Sequence, residues 1–254
     1  INDIASFDTC AYLLRYDSVY GNFPFPIEAQ SNGLLIRGRL IPVTHASDLR
    51  TLDLRDVDVV LDCTGKAGVR AFAEAGIAAG ASKVLISGPS ATADQTIVIG
   101  ANDQDLRDAR IVSNASCTTN AIAPLLRILD LGLGIERAHV TTVHCYTGSQ
   151  PTVDQPNGPP ERSRAAAVSM VPTTTSAADQ ITRVLPEFAG RLTVSALRVP
   201  CLSVSAVDAV VQLAEDPEEP FPDFLRAAFA GSSLVGLCED PCVSSDYRGR
   251  PESL

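Results

Sequence analysis

The chain has 254 residues, 45% of them hydrophobic and 20% charged, enough apolar material for one large or two medium-sized cores. A formal net charge of −10 argues against nonspecific nucleic-acid binding by the chain as a whole. With no run of 18 apolar residues and no basic-plus-apolar leader, neither membrane insertion nor export is expected. The seven cysteines are odd in number and include no CxxC pair, which points to reduced thiols in a cytoplasmic protein rather than to a disulfide framework or a metal site.

In chain order, the first half alternates between strand and helix patterns. VDVVLDC at 57–63 reads as a buried strand and KAGVRAFAEAGIAAG at 66–80 as a helix ended by Gly80. SKVLIS at 82–87 and TIVIGAN at 96–102 read as further strands. This alternation predicts an α/β fold with a doubly wound parallel sheet. The RIVSN stretch at 110–114 is β-branched and apolar, whereas AIAPLLRILDLGLG at 121–134 has apolar residues at helical spacing and closes on Gly132 and Gly134. Beyond it the pattern changes to long strands, HVTTVHCYT at 139–147, RLTVSALRV at 191–199 and SVSAVDAVVQL at 203–213, which predict a second α+β domain with a mixed or antiparallel sheet. The domains are expected at 1–116 and 117–254. Between the first two of these strands, GSQPTVDQPNGPPE at 148–161 reads as an ordered loop or a linker.

The junction between strand and helix carries the chemistry. Within SNASCTTN at 113–120, Cys117 stands where the helix should begin, with Ser116 as its N-cap. A thiol there meets unpaired backbone N–H groups and the positive end of the helix dipole, which favour thiolate over thiol and can hold an oxyanion. A single cysteine is more often a small buried apolar residue, but Ser116, Thr118, Thr119 and Asn120 make a polar setting. His144, in TTVHCYT at 141–147 and 27 positions from Cys117, could equally be a hydrogen-bonded strand histidine if it stood alone. Together the two suggest a thiolate held and served by an imidazole base.

These blocks, with RSRAAAVSMVPTTTSAA at 162–178, LRVP at 197–200, and similarity running from INDIASFDTCAYLLRYDSVYG at the start to EDPCVSSDY at 239–247, resemble the phosphorylating glyceraldehyde-3-phosphate dehydrogenase family. The resemblance implies a Rossmann-type NAD-binding domain and a catalytic domain. It implies an oxidoreductase that converts glyceraldehyde 3-phosphate to 1,3-bisphosphoglycerate through a thioester on Cys117, assisted by His144. An erythrose-4-phosphate dehydrogenase shares the cysteine motif but typically lacks the Tyr-Thr pair found here at Tyr146 and Thr147, so the triose enzyme is the better match. A noncatalytic paralogue acting as an interaction protein is the other alternative.

By the same resemblance Asp3 would end a strand at the carboxyl edge of the parallel sheet, accept the adenosine ribose hydroxyls and favour NAD over NADP, and Thr64, Gly65 and Ser87 would line the cofactor groove. Thr147 and Arg198 would hold the substrate's C3 phosphate. Ser116, Thr118, Arg162, Thr175 and Ser176 belong to the expected substrate and inorganic-phosphate sites, where hydroxyls and guanidinium give directional, charge-assisted contacts. A homotetramer is implied, with residues 148–165 reaching another subunit. Departures from the family pattern stand at Ala67, Gly88, Ala121, Ser176 and at Cys201, Leu202 and Ser203 after RVP. The family's glycine-rich turn would precede Ile1 and its closing segment would follow Leu254, so roughly 25–35 further residues are expected before Ile1.

Overall fold

The structure, a computed structural model, describes residues 1–66 and 68–252; the departure at Ala67 lies outside the described residues. The chain opens with α1 (Phe7–Arg15), capped by the Ser6 hydroxyl, and a two-residue ladder of β1 (Tyr16–Asp17) and β2 (Gly21–Asn22). Next comes an antiparallel meander of β3 (Ile27–Gln30), β4 (Gly33–Ile36) and β5 (Arg39–Pro42). Its apolar side packs Ile27 and Leu34 with Val43 and with Ala11 of α1.

The parallel sheet follows, built from β6 (Val59–Asp62), α2 (Arg70–Ala78), β7 (Lys83–Ile86), β8 (Gln95–Thr96) and β9 (Ile111–Ser113). Its strand order is β6-β7-β9-β8 with every pair parallel, the architecture expected from alternating strands and helices. Ala73 of α2 packs on Val84, Ile86 and Ile111 to form its core. Gly80 ends the α2 turn at φ +114, and a Cβ there would stand 2.9 Å from the Arg55 backbone nitrogen, so only glycine fits.

Two expectations fail locally. TIVIGAN is not a strand beyond Thr96, because Asn102 Oδ1 takes the Val98 N–H at 2.8 Å and Asp103 Oδ1 takes the Gly100 N–H at 2.7 Å. The backbone turns there at Gly100 (φ +80), and Val98 points into the core while Ile99 faces solvent. Asp3 does not end a strand of the parallel sheet. Residue 2 makes one isolated bridge to Thr44, where the Asn2 carboxamide itself bonds the Thr44 hydroxyl and the Ala46 N–H and carbonyl in place of a longer ladder.

The second half holds α3 (Cys117–Leu133), β10 (Ile135–Cys145), β11 (Val171–Thr173), α4 (Ala177–Val184), β12 (Leu192–Val199), β13 (Ala206–Leu213) and α5 (Phe221–Phe229). Its mixed sheet has the order β11-β12-β10-β13, with β10 parallel to β12 and antiparallel to β13. Ile122, Leu126, Leu129 and Leu133 repeat at helical spacing on α3, and all four are buried. The first three join Ile135 and Val140 of β10, Ile181 and Val184 of α4, and Phe188 in the largest core. Val98 and Ala115 from the parallel-sheet region enter the same cluster, so the segment leading to Cys117 is packed against the second sheet. Among the described residues, no helix is long and apolar enough to cross a membrane.

Candidate active site

The strand β9 ends at Ser113, and within three residues the chain must turn from sheet into helix. Ala115 makes that turn at φ +55, a left-handed conformation unfavourable for any residue with a Cβ, and it is held there while 98% buried. Bonds on both sides secure it. Ser113 Oγ accepts the Ala115 N–H at 3.1 Å, and the Asn120 carboxamide donates to the carbonyls of Asn114 (2.7 Å) and Ser116 (2.9 Å). Ser116 then caps α3, its hydroxyl oxygen accepting the Thr119 N–H at 3.1 Å. Cys117 is therefore the first helical residue, exposed, at the carboxyl end of the parallel sheet.

Its Sγ lies 3.1 Å from Nε2 of His144, which is buried near the end of β10. Hydrogen bonding to His144 is the largest influence on Cys117 and holds its thiol below the ordinary range against the opposing effect of burial; hydrogen bonds from Thr118 act in the same direction. Reciprocally, the sulfur raises His144 above the usual imidazole range, while burial and the nearby Arg198 pull it back. The pair thus favours thiolate and imidazolium together.

Arg198 reaches this pair because parallel pairing of β10 with β12 sets His144 opposite Arg198. Its Nη1 stands 2.7 Å from His144 Nδ1 and 2.8 Å from the Cys145 carbonyl, which is itself 2.7 Å from Nδ1. Nδ1 carries a proton when it donates to Cys145 and lacks one when it accepts from Arg198, so these two contacts belong to different protonation states. Arg162 adds positive charge felt at Arg198, and its guanidinium donates to Thr173 Oγ1 (2.8 Å) and the Thr174 carbonyl (3.2 Å). Cys117, His144, Arg198 and Arg162 form one electropositive group.

The remaining residues singled out in the sequence fall around it or elsewhere. Ser116 and Thr118 flank Cys117, the latter buried. Thr175 Oγ1 accepts the Ala177 N–H at 3.1 Å and so starts α4, while the Ser176 side chain makes no cap bond there. Thr147 bonds to Ser149 Oγ at 2.9 Å. Thr64 follows β6, where the buried Asp62 carboxylate accepts both its N–H (3.0 Å) and its hydroxyl (2.7 Å). Gly65 comes next at φ +72 with open space where a Cβ would stand, and Ser87 follows β7. Open backbone at the carboxyl ends of neighbouring parallel strands fits a dinucleotide groove. Asp3 is exposed, with Oδ1 accepting the Ala5 N–H at 2.8 Å. Asp62 and Asn120 were not assigned roles from sequence, although a buried carboxylate just before Cys-Thr-Gly must find donors and so signals a fixed turn.

Residues 1–69 match the profile described as glyceraldehyde 3-phosphate dehydrogenase, NAD binding domain, and residues 116–254 match its C-terminal domain. The chain belongs to the glyceraldehyde-3-phosphate dehydrogenase family. It is 43% identical to glyceraldehyde-3-phosphate dehydrogenase of Pseudomonas aeruginosa and 40% identical to that of Xanthobacter flavus, over all of this chain and 77% of each relative. Glyceraldehyde-3-phosphate dehydrogenase 2 of Bacillus subtilis is 40% identical over all of this chain and 76% of its own length. The family is that of NAD-dependent phosphorylating aldehyde dehydrogenases, and the four-stranded parallel sheet is Rossmann-like. The Cys117 sulfur and the His144 imidazole lie within hydrogen-bond reach of each other.

Proposed function

We infer that this protein oxidises glyceraldehyde 3-phosphate with NAD and inorganic phosphate to 1,3-bisphosphoglycerate, with residues 1–116 as the cofactor domain and 117–254 as the catalytic domain. The observation that carries this reading is the 3.1 Å contact of Cys117 Sγ with His144 Nε2 at the start of α3. The Cys117 thiolate attacks the aldehyde carbon, and the His144 imidazolium donates its Nε2 proton to the developing alkoxide, giving a thiohemiacetal. The positive end of the α3 dipole stabilises the same oxygen. His144 then takes the hydroxyl proton back as the carbon is oxidised, which leaves a thioester on Cys117. When bound, NAD would supply the hydride acceptor, and Asp3, Thr64, Gly65 and Ser87 would hold it. Phosphate oxygen adds to the thioester carbon, and the carbon–sulfur bond breaks to release the acyl phosphate and restore the thiolate. Arg198 and Thr147 bind the substrate phosphate, while Ser116, Thr118, Arg162, Thr175 and Ser176 orient the substrate and attacking phosphate by charge-assisted hydrogen bonds.

Nicotinamide reduction measured with glyceraldehyde 3-phosphate and with erythrose 4-phosphate, each with and without inorganic phosphate, tests the assignment. Phosphate-dependent turnover of the triose substrate is expected. Preference for the tetrose, or no turnover of either, removes it. The exposed Asp3 carboxylate repels a ribose 2′-phosphate, so Asp3→Ala should raise the use of NADP relative to NAD. Wild-type preference for NADP would contradict that role. A cytoplasmic homotetramer completes the proposal, with residues 148–165 at a subunit contact.

A further inference from the structure

Two cysteines after α5 have no part in this reaction. Cys238 and Cys242 bracket Glu239, Asp240 and Pro241, where the Cys242 N–H donates to the Asp240 carbonyl at 2.8 Å and folds the segment back on itself. This turn brings the two sulfurs to 3.8 Å, with Cys242 exposed and Cys238 half-buried. Forming a bond of about 2.05 Å therefore needs a sulfur movement of less than about 2 Å. The segment beyond is braced: Asp246 accepts the Val243 N–H at 2.7 Å and donates its own N–H to the Val243 carbonyl at 2.9 Å. Arg248 donates to Ser203 Oγ at 3.0 Å and to the Val19 carbonyl at 3.2 Å, tying the segment to the loop after β12 and to the N-terminal region.

We propose that Cys238 and Cys242 form a reversible redox dithiol, separate from Cys117, which hydroperoxides oxidise to an intramolecular disulfide. The thiolate attacks an oxygen of the peroxide, the O–O bond breaks, and a sulfenic acid forms with release of an alcohol, or of water when the oxidant is hydrogen peroxide. The second sulfur attacks the sulfenic sulfur and expels water as the S–S bond forms. Two thiols and one hydroperoxide thus give one disulfide, one alcohol and one water, the sulfurs losing two electrons and the peroxide gaining them. A small thiol reductant reverses the bond by exchange.

The two sulfurs are suited to different steps. The Tyr247 hydroxyl, followed by the Asp240 backbone and Cys242, holds Cys238 below the ordinary thiol range, whereas the neighbouring Cys238 holds Cys242 above it. The same sulfur pushes the Tyr247 phenol up to about 12. Cys238 is the attacking thiolate and Cys242 the resolving thiol.

This proposal is independent of the reaction assigned to Cys117. Tryptic digestion after peroxide treatment and iodoacetamide trapping tests it, because the peptide spanning 227–248 contains both thiols and no other cysteine. The expected product is that peptide lighter by two hydrogens and unalkylated, becoming doubly alkylated after dithiothreitol. Cys242→Ser should instead accumulate a sulfenic acid at Cys238 that a dimedone reagent traps. The Cys117→Ser protein should give the same internal disulfide as wild type. Retention of both alkylation sites at peroxide levels that oxidise Cys117, or dependence of the bond on Cys117, would overturn the proposal.

Discussion

His144 has a sulfur on one ring nitrogen and a guanidinium and a carbonyl beside the other, so its proton is the most consequential single proton in the molecule. Replacing it with asparagine removes the acid and base and should lower kcat roughly a hundred- to ten-thousandfold. The same change should move alkylation of Cys117 to higher pH, because His144 is the first cause of the lowered thiol. In wild type the sign runs both ways. Reactivity is lost as pH falls through the depressed Cys117 range and the thiolate gains a proton, and turnover falls on the alkaline side as His144 loses its proton above its raised range. Alkylation rate and kcat measured across pH check this; an unshifted alkylation profile in His144→Asn would sink the ion pair. Arg198 is the second test at this scale. Its proposed work is to meet a substrate phosphate, so Arg198→Leu should cost about 1.5–3 kcal/mol in kcat/KM for the phosphorylated aldehyde. An unphosphorylated aldehyde should lose far less. Equal losses on both would instead give Arg198 only the task of orienting His144.

At the scale of elements, Ser116 is the point where the sheet hands the chain to α3. Ser116→Ala removes the acceptor for the Thr119 N–H and should cost about 1 kcal/mol of stability, read from the denaturant midpoint. A change of a few tenths would mean that the turn at Ala115 holds the helix start without the cap. This junction was legible in the sequence because its signals are local: a β-branched run, a hydroxyl cap, an apolar repeat and a closing glycine. The strands β10, β12 and β13 were legible for the same reason. Their pairing was not, since the register that sets His144 against Arg198 joins residues 54 positions apart. The Arg198 contact with the imidazole therefore emerged only in three dimensions. Strand patterns also misled where a side chain captured a backbone group, as Asn102 does at Val98. The meander from Ile27 to Pro42 escaped assignment: its strands are four residues each, too short for alternation to stand out, and the outer two are largely exposed.

For the whole molecule, charge and apolar surface pull in different directions. A net charge of −10 favours solubility and mutual repulsion between copies. Yet the stretch around the proline-rich loop presents Val153, Val168 and Met170 at 67%, 79% and 70% exposure, more apolar surface than a short ordered segment needs for its own packing. Val153 belongs to the 148–165 segment proposed to contact another subunit, and Val168 and Met170 follow it within five residues, so we extend the proposed contact to them; burying them offsets the repulsion at about 25 cal/mol per square ångström. Light scattering at micromolar concentration should therefore give the mass of a tetramer. Val168→Asp combined with Met170→Asp places two buried carboxylates at the contact in each copy and should yield smaller species with the wild-type circular dichroism spectrum. The loop also carries Arg164, paired with Asp154 at 2.8 Å across its own neck, so it should keep its local shape when the contact is lost. A wild-type monomer, or a double variant that remains tetrameric, would show that these apolar residues serve some surface other than the subunit contact.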